Sequence, residues 1–373
     1  MIDMKILMLG SKEYPFGSSY RYDPYAGGGM EVKVEKLGKY LSGDGHEVFI
    51  VTRCFPGQAA KEDIGKIHIY RTRFLYNRWL RTLTFNLFAF FKAFRIVRKE
   101  RIDLIHSHGF VAGFFGSLLS RLTKIPLIWT PHSIPIDWPS PAKEALSFFH
   151  RIILRNVKKI IFISGEYVKK RVLLNKNILN VTLTNAIDIE NFKKVSRRNW
   201  EGIRFIYLGR FAKHKGVIHT IQAFSKLVKK FPDSVLYIAG SGKREGEILE
   251  CIKENNLRKN VRFLGWITDT PGVLAETDVF ILPSKEKGQP FALLEAMAAG
   301  KIIITSLKYI DDGKDGISVK QEVGDIYEKM LYVCKNFEKC TKLGKNARES
   351  VKKKDWSIVI KDFEREYEEV LVK

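Results

Sequence analysis

Three glycine-bearing turns in the second half of the chain, each directly behind a β-rich run, hold the residues best suited to chemistry on a phosphate. The first reads Gly209-Arg210-Phe211-Ala212-Lys213-His214-Lys215-Gly216 and leads into an amphipathic stretch from about Val217 to Lys230. Arg210 and Lys215 can face one pyrophosphate together there, and the helix start behind them adds the positive end of its dipole. Two such cations would stabilise the charge that develops on a leaving diphosphate without a metal ion. Standing alone, the pair would be two surface cations near a helix start. The second turn, Gly240-Ser241-Gly242, follows Ser234–Ala239 and opens a helix, an arrangement that lets backbone amides approach a phosphate. A nicotinamide-cofactor enzyme would also need an acidic residue at the end of the next strand, but Val261–Leu264 runs into Gly265-Trp266. The third turn follows Val279–Leu282. A helix beginning near Pro290 keeps Glu295 in its second turn, within reach of ribose hydroxyls, although an ordinary helix glutamate would look the same.

Turns of this kind work only at the ends of strands, and the sequence supplies the strands. Short β-rich runs alternate with amphipathic stretches along the whole chain, the pattern of βα units winding a parallel sheet. In the first half the strand candidates are Lys5–Leu9, Glu47–Val51, Lys66–Tyr70, Leu104–His106, Leu127–Thr130 and Ile160–Ile163, with helices over Glu31–Ser42 and Ala142–Val157. After the basic stretch Lys193–Glu201 the alternation restarts with Arg204–Leu208, Ser234–Ala239, Val261–Leu264, Val279–Leu282 and Ile302–Ser306. The expected architecture is α/β: two Rossmann-like, doubly wound parallel-sheet domains facing a central cleft, where such folds gather ligands. The first is expected over 1–190 and the second over 200–350. The stretch 355–373 carries Ile358, Phe363, Tyr367 and Val370 at helical spacing and reads as a terminal helix that packs back on the first domain.

Composition narrows the partners. The 373 residues, 45% of them apolar, exceed what one core usually supports. Cys54, Cys251, Cys334 and Cys340 lack CxxC spacing, which predicts neither a zinc site nor a disulfide framework and fits a reducing, cytoplasmic compartment. The N-terminus opens into a strand-like run without a leader pattern, and no window is long and uncharged enough to span a membrane. Lys and Arg number 64 against 41 Asp and Glu, a net +23 that draws the chain towards phosphates, polyanions or anionic lipid. Nucleic acid is not expected, because no zinc-finger spacing, bZIP heptad or RRM signature accompanies the charge. The stretch 74–101 interleaves aromatic, aliphatic and basic residues. It suits a helix in peripheral contact with an anionic membrane as well as a core helix with snorkelling cations.

Taken together these segments resemble the glycosyltransferase family 4 branch of the GT-B enzymes. The resemblance runs almost end to end: Gly27-Gly28-Gly29, LSGDGHEVFIV at 41–51, His106-Ser107-His108-Gly109, Thr130-Pro131-His132-Ser133, Ile163-Ser164-Gly165-Glu166 and Asn185-Ala186-Ile187-Asp188 in the first domain. GRFAKHKG at 209–216, AGSG at 239–242, VRFLGW at 261–266 and LLEAMAAG at 293–300 follow in the second. It implies a retaining, metal-independent transfer from a UDP- or GDP-sugar to an acceptor that is a glycan or lipid-linked, at the cytoplasmic face of a membrane in the latter case. By that analogy Gly209, Arg210 and Lys215 hold the donor phosphates beside Gly240 and Gly242, and Glu295 the ribose. Gly28 and Gly29 lie near the phosphates and acceptor, the segment from Phe263 to Trp266 meets the base, and His132 approaches the transferred sugar. Apart from the analogy, His132 reads as a capping or core histidine, and His106 and His108 as a buried polar pair.

Two departures bear on activity. The family's glutamate for the donor sugar, eight residues before Glu295, is here Lys287, with Glu286 one residue early as the candidate substitute. The loop after Thr305 is about four residues short, and amides of that loop normally help to bind the diphosphate. They leave room for a second reading, a catalytically silent GT-B protein that binds a sugar nucleotide or a protein partner.

Overall fold

The computed structural model describes residues 3–17, 28–77, 80–132, 140–163, 178–192, 201–285 and 288–372. The chain divides into two compact units, residues 1–184 with 356–373, and residues 185–355.

In the first unit the order is β1 (Lys5–Leu9), α1 (Gly29–Gly43), β2 (Glu47–Arg53), β3 (Lys61–Ile64), β4 (Ile67–Thr72), α2 (Arg81–Glu100), β5 (Leu104–His108), α3 (Phe110–Thr123), β6 (Leu127–Thr130), α4 (Ser140–Asn156), β7 (Val157–Phe162) and β8 (Leu179–Thr182). They form one sheet in the order β3-β4-β2-β1-β5-β6-β7-β8. Strands β1, β2, β5 and β6 are buried along almost their whole length, which is why β1 and β2 carry consecutive apolar residues rather than alternating ones, while β5 buries His106, Ser107 and His108 behind Leu104 and Ile105. Strand β3, the sequence KEDI, departs from the expected all-parallel sheet: it pairs antiparallel with β4 at the edge and is exposed throughout. Its charges hide it from a reading based on apolar runs and keep that edge from pairing with another chain. Strand β8 is likewise half-polar and was not expected.

The second unit runs β9 (Arg204–Leu208), α5 (Val217–Leu227), β10 (Val235–Ala239), α6 (Glu245–Glu254), β11 (Val261–Gly265), α7 (Thr270–Ala275), β12 (Val279–Leu282), α8 (Phe291–Ala298), β13 (Ile302–Thr305), β14 (Ile317–Ser318), α9 (Val323–Lys335) and α10 (Phe337–Val351). Its sheet, β11-β10-β9-β12-β13-β14, is parallel throughout. One apolar cluster gathers Phe205, Tyr207, Ile238, Ile281 and Ile303 from the strands with Ile221, Phe224, Leu294 and Met297 from the helices. Ile187, Ile189 and Phe192 belong to the same cluster. The division therefore falls between Thr184 and Asn185, earlier than a boundary at 190.

The last helix, α11 (Trp356–Val372), belongs to the first unit. Trp356 stacks on Tyr40 at 5.7 Å, Glu364 accepts from His46 at 3.2 Å, and Lys159 pairs with Glu366 and Glu369.

Candidate active site

The turn after β9 is fixed by backbone bonds to its neighbours. Gly209 N–H donates to the Ala239 carbonyl at 3.0 Å, Phe211 N–H to Ser241 at 2.8 Å, and Lys285 N–H, just past β12, to His214 at 2.8 Å. Tyr207 Oη donates to the Arg210 carbonyl at 3.1 Å. The glycines make this approach possible. A Cβ on Gly240, whose φ is +139°, would lie 2.0 Å from the Gly209 carbonyl oxygen, and one on Gly242 2.5 Å from that of Phe211. Their first job is thus to let two loops touch backbone to backbone, a requirement independent of any phosphate. Gly209 itself has ordinary space for a side chain.

Within that turn Lys215 is buried, at 7% exposure, whereas Arg210 is exposed. Gly216, with φ +78°, hands the chain to α5, whose start has no side-chain cap. Its first amides therefore face the same turn as the two cations. Phe263 on β11 sits 5.7 Å from the Phe211 ring, and Trp266 follows it. Glu295 occupies the second turn of α8, half-buried. Gly209, Arg210, Lys215, Gly240, Gly242, Phe263, Trp266 and Glu295 thus come from the carboxyl ends of four adjacent strands, β11-β10-β9-β12, and the helices that follow them. Glu286, Lys287 and Gly27 lie outside the described residues.

In the first unit Gly28 and Gly29 start α1, and His132 follows β6 with φ +46°, a left-handed conformation that costs a non-glycine residue strain. Parallel pairing sets β5 beside β6, so His108 lies opposite Thr130, and His108 Nδ1 is 3.1 Å from His132 Nε2. One proton serves that contact, so one ring donates and the other accepts. The His106 ring lies 4.0 Å from that of His108, tilted at 38°, and bonds Tyr367 Oη of α11 at 2.7 Å and Thr130 Oγ1 at 2.8 Å. His106 and His108 are therefore the buried polar pair expected of them, joined to His132 in one array. Burial holds all three rings well below the usual histidine range, His108 at about 3, and the Lys33 charge adds to the effect. These imidazoles are neutral at physiological pH.

Sequence reasoning missed Lys33 and Tyr367. Lys33 is fully buried, its Nζ 5.0 Å from the Phe363 ring centre and 3.5 Å from the Thr184 carbonyl, and burial lowers its pKa to about 7. The available signal was its spacing, four residues before Leu37 and eight before Leu41 on the apolar stripe of α1. Nothing marked Tyr367 except its place on the terminal helix. Among the described residues no three His, Cys, Asp or Glu side chains gather as a metal site.

Residues 27–190 match the family model for Glycosyltransferase Family 4, and residues 188–350 that for Glycosyl transferases group 1. The chain is 27% identical to the UDP-Gal:alpha-D-GlcNAc-diphosphoundecaprenol alpha-1,3-galactosyltransferase of Escherichia coli over 244 residues, 57% of this chain and 60% of that protein. It is 24% identical to the alpha-monoglucosyldiacylglycerol synthase of Acholeplasma laidlawii over 383 residues, 92% of this chain and 94% of that one. In fold it resembles a sucrose-phosphate synthase from Thermosynechococcus elongatus, with a TM-score of 0.83 at 20% identity and full coverage of both chains.

Proposed function

The chain belongs to the family 4 glycosyltransferases, enzymes of the GT-B fold, and on that footing we propose that it moves a sugar from a UDP- or GDP-linked donor onto a glycan or lipid-linked acceptor. One observation carries the reading: a buried lysine and an exposed arginine share a turn that two neighbouring loops lock in place beside an uncapped helix start. In the transfer the bond from the sugar's anomeric carbon to the diphosphate oxygen breaks, and a bond from that carbon to an acceptor hydroxyl oxygen forms as the hydroxyl proton passes to an oxygen of the departing diphosphate. The electron pair leaves with the diphosphate. Arg210, Lys215 and the first amides of α5 neutralise it where it departs, so the step needs no metal ion. The acceptor oxygen adds on the face that the diphosphate leaves, which retains the anomeric configuration. Gly209, Gly240 and Gly242 keep the neighbouring backbone close to the phosphates. Glu295 accepts from the ribose hydroxyls, the backbone from Phe263 to Trp266 meets the base, and Glu286 takes the donor-sugar contact.

In the first unit, Gly28 and Gly29 line the acceptor side. Neutral His132, oriented by His108, offers an uncharged hydrogen bond to the transferred sugar. The lipid-linked acceptor named for the Escherichia coli relative and the lipid product named for the Acholeplasma relative favour work at the cytoplasmic face of a membrane.

A specific feature supports the second reading, a silent donor-binding protein. In the short loop after Thr305, Asp311 N–H donates to Asp315 Oδ1 at 2.6 Å, Gly313 N–H to the Gly316 carbonyl at 2.8 Å and Ser318 N–H to Asp312 Oδ1 at 2.6 Å. Two amides of that loop are thus spent within it, and Asp312 is held by the Ser318 amide beyond it on β14, so none of these three is offered to a diphosphate.

Single-turnover transfer from a panel of UDP- and GDP-sugars, with wild type, Arg210→Ala and Lys215→Ala, separates the readings. Each substitution is expected to lower transfer at least about 100-fold with an unchanged melting temperature. A nucleotide-induced thermal shift without turnover in the wild type favours the silent protein, and full turnover in both variants rejects the site.

A further inference from the structure

Helices α2, α3 and α4 pack side by side over one face of the first unit's sheet. Their outer surface carries an aromatic ridge. Phe91 touches Phe90 at 5.5 Å between ring centres, Phe90 touches Phe115 at 6.0 Å, and Phe115 touches Phe114 at 5.3 Å. Phe114 continues to Phe149 at 4.8 Å and Phe149 to Phe148 at 5.8 Å, so six rings run unbroken across three helices. The two ends of the ridge stand in solvent, Phe91 at 55% and Phe148 at 61% exposure, with Phe88 at 45% beside the first. Between those ends Phe90 and Phe114 are half-buried and Phe115 is buried, so the exposed rings are held on a rigid aromatic row anchored in the core. Large aromatic rings grouped in solvent mark a contact surface.

The charge around the ridge identifies its cover. The three helices carry nine Lys and Arg residues against two Glu. Arg95, Arg98, Lys99, Arg121, Arg151 and Arg155 are exposed, and α3 has no acidic residue. A protein partner of ordinary composition would bring cations as well as anions to such a rim. An anionic bilayer offers a net negative headgroup layer, together with an apolar layer deep enough to take phenylalanine rings. No helix among the described residues is long and apolar enough to cross a membrane, so the contact is peripheral.

We propose that the outer face of α2, α3 and α4 docks on an anionic lipid bilayer, the exposed rings Phe88, Phe91, Phe148 and Phe149 at the two ends of the row entering the headgroup boundary while the arginines and lysines meet lipid phosphates. The proposal adds to the transfer reaction a surface on all three helices. It rests on the lipid-linked reading of the acceptor only for its purpose, since it is read without any substrate.

Flotation of the full chain with vesicles of phosphatidylcholine alone, or with 30% phosphatidylglycerol, tests it. Binding is expected only with phosphatidylglycerol and is expected to fall as salt rises from about 0.1 to 0.5 M. Phe88→Ser/Phe91→Ser on α2 and Phe148→Ser on α4 should each cut the vesicle-bound fraction at least about tenfold while keeping the wild-type melting temperature and nucleotide-induced thermal shift. The last readout belongs to the donor site, so failure of docking and failure of the transferase reading are told apart. Absence of binding to anionic vesicles, or binding unchanged in both variants, overturns the proposal. So does a solution dimer that these substitutions dissociate, since a second copy would then cover the ridge.

Discussion

Replacing Lys33 by Met should stabilise the first unit at neutral pH and lose that advantage as the pH rises. The side chain is fully buried in α1, and burial lowers its pKa from the ordinary 10.5 to about 7. The folded state then binds fewer protons than the unfolded chain between those values, so stability rises with pH across that window. Each pH unit is worth about 1.4 kcal/mol, which puts the full penalty for the charged form near 5 kcal/mol. At pH 7 about 4 kcal/mol of it is present, and at pH 9.5 a little over 1. The Phe363 ring and the Thr184 carbonyl both favour the charged amine and reduce these figures. Methionine matches the alkyl stem in volume and carries no charge. The stability gap between Lys33→Met and wild type should therefore shrink by about 2–3 kcal/mol between pH 7 and pH 9.5. Urea unfolding at each pH, followed by a hydrogen-exchange pulse at one common pH, reads the first unit through peptides from β1 and β5, apart from the second. A gap that stays constant with pH would refute the buried, proton-poor lysine.

The remaining expectations concern the architecture of each unit. Gly240→Ala forces a Cβ to within 2.0 Å of the Gly209 carbonyl at a φ of +139°, so it should destabilise the second unit by about 2–4 kcal/mol. Exchange protection in β1 and β5 should stay unchanged. Trp356→Ala removes a side chain that is 1% exposed and stacked on Tyr40, and should cost the first unit about 3–5 kcal/mol, read from the same urea series. A loss confined to peptides of the second unit would contradict the placement of α11.

Much of the fold was open to reading because each parallel strand needs apolar residues on both faces. β1, β9, β12 and β13 announce themselves as uninterrupted Ile, Leu, Val and Phe runs, and those at 5–9, 204–208 and 279–282 kept their bounds. The edge strand β3 and the two-residue β14 escaped, since a strand with a solvent face or little length leaves no apolar signature. The turn 209–216 was legible as a turn because a glycine at each end of a basic run breaks the apolar pattern directly behind a strand, whereas the use of its cations rested on the family resemblance. Glycine's presence at 240 and 242 was visible, but that the backbones of Gly209 and Phe211 press there depends on which strands are neighbours.

Local order along the chain thus determined the buried parallel strands, several of the helices between them and the basic turn, because these depend on periodicity over a few residues and on the conformational freedom of glycine. Tertiary structure alone decided the rest. Lys33 in α1, His106 and His108 in β5, His132 after β6 and Tyr367 in α11 are up to 334 residues apart in sequence. Only the β5–β6 pairing and the return of α11 to the first unit bring them into contact. The burial that lowers the Lys33 pKa, and the burial and repulsion that keep the three imidazoles neutral, exist only after that assembly. The aromatic ridge has the same origin, since a phenylalanine at 91 and another at 148 become one surface only when three helices lie side by side.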